Sequence, residues 1–263
     1  MRRKEDKSMS TQHVKVPAED NASPSNETLN PKTPTKIHKI DGEKGGVGKS
    51  LFARTLMHYC LEKKLDVTLV DADLTNPDVA EVYSKQAKKI TFSENERKFY
   101  DADQIFDLAF EKSVVINLPA QVYPLVCAWI ERNNLIELGE QCDIQFVKWF
   151  VCTGGYDSIK LFLDSVEHFQ SSITHILVQN MGLCDDWSHV DERTDLKEAV
   201  KKYGIQKIKF PKLSYRERDK ILEEKLTFGA ARESESLKIL GKQRVVNFLK
   251  EAFAEIEKVN LLP

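Results

Sequence analysis

The run Gly42-Glu43-Lys44-Gly45-Gly46-Val47-Gly48-Lys49-Ser50 decides how the rest of the chain is read. It follows residues 36–41, a predicted first strand, and opens a helix predicted to begin near Ser50. A glycine-rich turn between a strand and a helix is the setting of a phosphate-binding loop. Glycines let backbone N–H groups turn inward and approach phosphate oxygens. The helix N-terminus adds the positive end of its dipole. Lys49 is then placed to bridge β- and γ-phosphates, and the Ser50 hydroxyl to ligate Mg²⁺. The competing reading is a glycine-rich turn that merely precedes a lysine. It needs the strand, the glycines, the lysine and the helix to coincide by chance.

Outward from this loop the chain alternates. Short apolar, β-rich runs at 67–70, 114–118, 146–151, 176–178 and 205–210 are separated by longer amphipathic stretches at 50–63, 102–112, 119–138, 156–169, 192–203 and 215–225. Strand–helix repetition at this spacing predicts βαβ units. The expected fold class is α/β, a mainly parallel twisted sheet with helices on both faces, as in P-loop NTPases. Residues 242–259 put Val245, Val246, Leu249, Phe253 and Ile256 on one helical stripe, predicting a final docking helix. Residues 1–36 differ in kind: they hold Pro17, Pro24, Pro31 and Pro34 and no aromatic residue. Such a stretch buries too little apolar area to offset its ordering entropy. The expected organisation is therefore a disordered tail, 1–36, and one domain, 37–263.

Two further strand ends carry polar groups. Val67-Thr68-Leu69-Val70-Asp71-Ala72-Asp73 closes an apolar run with two carboxylates. In α/β sheets ligands bind at the carboxyl ends of strands. A carboxylate there can hold a Mg²⁺-bound water or orient an attacking one; a solvated strand-end turn is the plainer alternative. Val114-Val115-Ile116-Asn117-Leu118-Pro119-Ala120 ends in an amide, which accepts a hydrogen bond without carrying charge. Ile176-Leu177-Val178-Gln179-Asn180 also ends in an amide, with a turn residue as the alternative. Thr153-Gly154-Gly155-Tyr156-Asp157-Ser158 starts a helix, and Asp157 or Ser158 is the expected N-cap. Trp129, Trp149 and Trp187 are expected in the core, and His38, His58 and His175 lack metal-like spacing.

The K-G-G-x-G-K-[ST] form of the loop resembles the deviant Walker A loop of the ParA/MinD family of ATPases. Glu43 departs from the general pattern, which has Gly there, and its carboxylate must point away from the phosphates. The resemblance implies a nucleotide-sandwich homodimer that forms on ATP binding, with Lys44 reaching the other subunit's phosphates. It implies that Glu43, Lys44, Gly45, Gly46, Val47, Gly48, Lys49, Ser50 and Leu51 cradle ATP. Lys44, Lys49 and Asp73 would be catalytic, Asp73 activating water. Ser50, Asp71 and Asn117 would form the Mg²⁺ shell. The N-L-P-A turn resembles the family's Walker B pattern, hydrophobic run then D-x-P-A, with Asn117 at the acidic position; this puts metal affinity and turnover in question. Asn180 resembles the family's adenine contact, and Ile208-Lys209-Phe210-Pro211-Lys212-Leu213 its base-side loop, bringing in Pro211 and Leu213. The N-L-P-A turn, Asn180-Met181-Gly182 with Asp186-Trp187, and Phe210-Pro211-Lys212-Leu213 look most like ParA-type proteins of plasmid transfer and stabilisation operons, the TraL- or StbB-like members. That implies a partner protein of a partition or transfer system.

Composition narrows the function classes. The 263 residues carry 39 Lys+Arg against 41 Asp+Glu, a net −2, which argues against a globally polybasic protein. The charge is uneven: residues 1–36 sit at +2 and residues 195–225 at +4, leaving −8 elsewhere. The family commonly binds DNA non-specifically, and residues 195–225 are the candidate surface; solvated helix faces are the alternative reading. Five cysteines without a C-x-x-C predict reduced thiols and a cytoplasmic location. The most apolar region, 114–130, is short and interrupted by Asn117, Pro119, Gln121 and Pro124, so no membrane span is expected, and Glu251, Glu255 and Glu257 dilute any cationic face near the end, so no stable membrane anchor is expected. The leading expectation is an ATP-dependent switch. A nucleotide-binding scaffold without ATPase activity and a P-loop ligase or kinase acting on a metabolite are the alternatives.

Overall fold

The computed structural model describes residues 34–42 and 44–262. Seven strands form one sheet: β1 (Thr35–Asp41), β2 (Val67–Asp71), β3 (Ala87–Lys89), β4 (Ser113–Asn117), β5 (Ile144–Cys152), β6 (Thr174–Asn180) and β7 (Gln206–Phe210). Their order is β3-β2-β4-β1-β5-β6-β7, and every pairing is parallel. The connecting helices are α1 (Lys49–Glu62), α2 (Asp78–Val82), α3 (Asp103–Glu111), α4 (Tyr123–Arg132), α5 (Leu135–Gln141), α6 (Tyr156–Phe169), α7 (Ser188–Asp191), α8 (Thr194–Tyr203), α9 (Tyr215–Glu223), α10 (Phe228–Glu233) and α11 (Ile239–Glu257). The chain leaves β1 toward β2 and β3, returns through β4, and then builds β5 to β7 on the other side. β1 is thus central, and the carboxyl ends of its neighbours gather at one edge, where α/β sheets bind ligands.

Both faces of the sheet are covered, so the strands read as continuous apolar runs rather than alternating ones. All five residues of β2 and of β4 are buried. Alternate side chains go to opposite faces. On one face Ile40, Val147, Trp149 and Val151 pack with Phe52 and Leu56 of α1 and with Val245, Phe248 and Leu249 of α11. On the other, Ile37, Ile116 and Phe146 pack with Ile105 and Phe106 of α3 and with Val126 and Trp129 of α4. Farther along that face, Phe150 and Leu177 meet Ile159 and Phe162 of α6. Trp129, Trp149 and Trp187 are all buried, as expected.

Several local expectations are corrected. β1 takes in Thr35 and Lys36, which composition left in the tail: Thr35 N–H donates to the Asp143 carbonyl and Lys36 N–H to Ser113 Oγ. The remainder of the expected tail, residues 1–33, lies outside the described residues, as does Glu43. The stretch 119–138 is two helices, because Asn134 takes a left-handed conformation with φ 47° that interrupts the turn pattern. Asn tolerates that conformation better than most residues. In α11, Val246 faces solvent, and Phe248 takes the buried place that the stripe gave it. Neither Asp157 nor Ser158 caps α6: Gly155 is the cap, and Ser158 Oγ instead accepts from Thr153 N–H at 3.2 Å.

Among the described residues three buried imidazoles are kept neutral by folding, and burial pushes one of them, His58, down to about 4. Burial, with Lys36 nearby, pushes His38 down to about 3. Burial, with Lys148 nearby, pushes His175 down to about 3 as well. An unfolded histidine takes its proton near 6.5. Between pH 6.5 and 3 the unfolded chain therefore binds more protons, and stability is lost as pH falls. Urea denaturation at pH 7, 5.5 and 4.5 is expected to show stability falling by roughly 1.4 kcal/mol per pH unit for each histidine. A midpoint constant across that range contradicts their neutral burial.

Candidate functional site

β1 delivers the chain to the sheet edge at Asp41, and α1 leaves from it at Lys49. The intervening loop is closed from within. Lys49 Nζ donates to the carbonyl of Gly42 at 2.7 Å and to that of Lys44 at 3.0 Å. Gly48 has φ 101°, which an L side chain rarely adopts, and a Cβ there lies 2.6 Å from Asn180 Nδ2. Gly45 and Gly46 are exposed, and a Cβ on either meets no atom within 4 Å. That open face leaves room for a ligand against the backbone.

The loop is also pinned from β6. Asn180 Nδ2 donates to the Val47 carbonyl at 2.8 Å, and Asn180 Oδ1 accepts from Gly182 N–H at 2.9 Å. The side chain read as a base contact thus ties the end of β6 to the phosphate loop. Asn180 lies beside Phe210 in the sheet, and Met181 N–H donates to the Phe210 carbonyl. The turn carrying Pro211 and Leu213, both buried, therefore follows the same corner.

On the other side stand the polar strand ends. Asn117 is registered opposite Asp71 on β2 and Ile40 on β1. Asp71 is fully buried, and its carboxylate accepts from Asn117 Nδ2 at 2.9 Å, Asp73 N–H at 3.2 Å and Ala80 N–H at 2.8 Å. Burial raises its pKa, and these three donors oppose that rise. A carboxylate at position 117 would face Asp71 directly, so the neutral amide suits this pair. Asp73, half-buried just beyond β2, accepts from Asn76 N–H at 3.1 Å.

Asn117 Oδ1 is buried with no hydrogen-bond partner among the described residues. That free oxygen, with the Ser50 hydroxyl at the start of α1, fits an Mg²⁺ held partly through water. Asp71 is spent on protein donors and fits that shell less well than the sequence suggested. Among the described residues no group of three or more His, Cys, Asp or Glu could hold a metal ion.

The sequence reading missed three site residues. Lys44, exposed at the loop's rim, pairs its ammonium with Asp157 Oδ2 at 2.7 Å. The hydrogen bond and charge of Lys44 hold the Asp157 carboxyl below its usual range. Asp41 and Lys148 form a buried ion pair directly beneath the loop, at 2.8 Å. The hint of that pair was Lys148, a lone charged residue inside the otherwise largely apolar β5.

Gly48 sits where strain and crowding coincide. Gly48→Ala is expected to cost about 1–3 kcal/mol in urea denaturation. Asn180→Ala should leave the Val47 carbonyl and Gly182 N–H unpaired, for a similar loss. Wild-type stability in both variants contradicts the pinning of the loop by β6.

Comparisons with known proteins bear on the family and the fold. The profile of the CobQ/CobB/MinD/ParA nucleotide binding domain matches residues 40–228. The chain is 26% identical over 198 residues to protein MobD of Acidithiobacillus ferrooxidans, covering 74% of this chain and 86% of that one. It is 24% identical over 246 residues to protein TraL of Escherichia coli, covering 86% and 99%. Among solved structures, MinD in the MinC:MinD cell division complex of Aquifex aeolicus superposes with a TM-score of 0.50 at 11% identity, covering 84% and 97%. The septum site-determining protein MinD of Pyrococcus horikoshii, complexed with Mg-ADP, superposes with a TM-score of 0.50 at 12% identity, covering 86% and 98%.

Proposed function

The chain belongs to the CobQ/CobB/MinD/ParA family of nucleotide-binding domains, and from that membership we propose that it is an ATP-operated molecular switch. In this reading ATP joins two copies into a sandwich dimer, and slow hydrolysis separates them. The observation that carries it is the state of Lys44. Its ammonium lies at the loop's rim, paired among the described residues with Asp157, and the two side chains are 51% and 65% exposed. Exposed pairs of this kind contribute little, so releasing Lys44 toward a second subunit costs little.

The other residues take roles that their positions support. Lys49 exchanges its bonds to the Gly42 and Lys44 carbonyls for phosphate oxygens. Gly45, Gly46, Val47 and Gly48 offer backbone N–H groups, and Ser50 with Asn117 Oδ1 holds the metal. Mg²⁺, when bound, neutralises charge on the phosphates. Asp73 orients the attacking water. Pro211 and Leu213 border the base. Such a switch works because its two states contact a partner differently.

Similarity to TraL and MobD supports service in plasmid transfer or partition, with a partner protein of that system. Non-specific DNA is the second proposed partner. Exposed Lys197, Lys201, Lys209, Lys212 and Arg216 offer phosphate contacts. Lys207, Arg218, Lys220 and Lys225 are already paired with Asp191, Asp219, Glu223 and Glu81, which lowers the charge available. Free cysteines suit a reducing cytoplasm, and among the described residues no helix is long and apolar enough to cross a membrane.

A second reading has one observation in its favour. Asn117 spends its amide on Asp71 and keeps a single uncharged oxygen for the metal. A scaffold that binds nucleotide without turning it over would need no more.

Light scattering during ATP titration tests the switch. Wild type is expected to double in mass, and Lys44→Ala to stay monomeric. A monomeric wild type, or a Lys44→Ala variant that dimerises equally, defeats the sandwich. Phosphate release then separates the two readings: slow turnover lost in Asp73→Ala marks the switch, and no turnover in wild type marks the scaffold.

A further inference from the structure

Beneath the phosphate loop lies a set of buried charges that the proposed function does not use. β1 directs Lys39 and Asp41 to the same face, and β5 places Lys148 opposite Lys39. Lys39, Asp41 and Lys148 are each at most 2% exposed. Asp41 Oδ2 receives the Lys148 ammonium at 2.8 Å. Asp41 Oδ1 receives Gly42 N–H at 2.7 Å. The Gly42 carbonyl in turn receives Lys49 Nζ at 2.7 Å. One side chain in the core is thus joined through a single residue, Gly42, to Lys49.

The far end of the set is fixed as firmly. Lys148 Nζ also donates to Ser165 Oγ at 2.8 Å and lies 4.4 Å from the centre of the Tyr123 ring. Ser165 Oγ lies 3.1 Å from His175 Nε2, and His175 Nδ1 lies 2.9 Å from the Ile173 carbonyl. A carbonyl only accepts, so Nδ1 carries the proton and Nε2 is bare. The Ser165 hydroxyl must then donate to His175, which leaves its oxygen to accept from Lys148. Every bond in the row Ile173–His175–Ser165–Lys148–Asp41–Gly42 therefore has one direction. Residues from β1, β5, β6 and α6 together fix where the Asp41 carboxylate points.

Burial alone would raise the Asp41 carboxyl, but the charge and hydrogen bond of Lys148, with the Gly42 N–H, hold it below its usual range. Lys39, whose Nζ has no hydrogen-bond partner among the described residues, is lowered by burial and by Lys148 to about 7. The cluster thus contains one carboxylate that is charged and bonded on both oxygens. Desolvated pairs of this kind are costly to break from one side, because the remaining charge is left unmatched. Surface exposure cannot account for them, and the apolar packing around them would be served as well by hydrocarbon side chains.

We propose that Asp41 and Lys148 are positioning residues for the phosphate loop: Lys148 fixes the Asp41 carboxylate, which holds Gly42 by its N–H so that the carbonyl of the same residue presents Lys49 to the nucleotide. This rests on the reading of the loop as a nucleotide site. It assigns a function to a core ion pair that contacts no ligand.

Calorimetric titration of Mg²⁺–ADP into the full chain, at a temperature well below each variant's melting midpoint, tests it. Lys148→Met leaves Asp41 charged and unmatched, and is expected to weaken ADP binding about tenfold or more. Adding Asp41→Asn removes the unmatched charge while its amide oxygen still accepts from Gly42 N–H. That double variant is expected within about threefold of wild type. Asp41→Ala with Lys148→Met is equally neutral but leaves Gly42 N–H unpaired, and is expected to bind about tenfold more weakly than the Asn version. A purely structural pair would move the melting midpoints and leave the affinities together. Wild-type affinity in Lys148→Met, or equal affinity in the two double variants, overturns the inference. If Lys148→Met does not fold, the two charge-neutral doubles decide alone. Absence of ADP and ATP binding in wild type overturns the nucleotide reading itself, and the positioning role with it.

Discussion

The hydrogen bond from Lys49 to the Gly42 carbonyl is the contact on which the site depends. A phosphate loop must expose its N–H groups to a ligand, so it cannot satisfy them by regular secondary structure. Something else has to hold its shape. Here the loop's own lysine draws its first residues together, Asn180 grips the Val47 carbonyl from β6, and Asp41 grips Gly42 N–H from β1. Three side chains from three directions replace the missing ladder. The parallel sheet makes this arrangement available, because the ends of β1, β4 and β6 lie at one edge.

The same edge shows a trade between metal and protein. In the D-x-P-A pattern of the ParA/MinD-type loop the β4 strand ends in a carboxylate. In this chain β4 ends in Asn117, whose amide bonds the buried carboxylate of Asp71. One negative charge is thus shared across two strands rather than two being set side by side. The Asn117 oxygen has no partner among the described residues, and Asp71 is turned toward backbone N–H groups of its own loop. The neutral residue reads as a loss in the sequence; in the structure it is matched to its neighbour.

Much of the fold was legible because it rests on local pattern. The apolar runs at β2, β4, β5, β6 and β7 and the helices between them follow from periodicity, and the loop at 42–50 follows from glycine chemistry. What was not legible depended on partners remote in sequence. β3 is three residues long, Ala87–Lys89, with no apolar signal, and forms only because β2 offers it an edge. The break between α4 and α5 hangs on one left-handed asparagine. In the site, Lys49, Gly48 and the strand-end residues were found, whereas Asp41 was not. A charge inside a strand announces nothing until its counter-charge is known, and Lys148 lies more than a hundred residues away. Asp157, read as a helix cap, found a stronger partner in the loop's lysine.

The central claim is that this loop binds a nucleoside triphosphate through Lys49. Calorimetric titration of ATP with Mg²⁺ into the full chain and into Lys49→Ala tests it most directly. Saturable binding of one nucleotide per chain, lost in Lys49→Ala while the variant keeps the wild-type melting midpoint within a few degrees, is the expected result. No heat of binding in wild type, or the same affinity in Lys49→Ala, contradicts it.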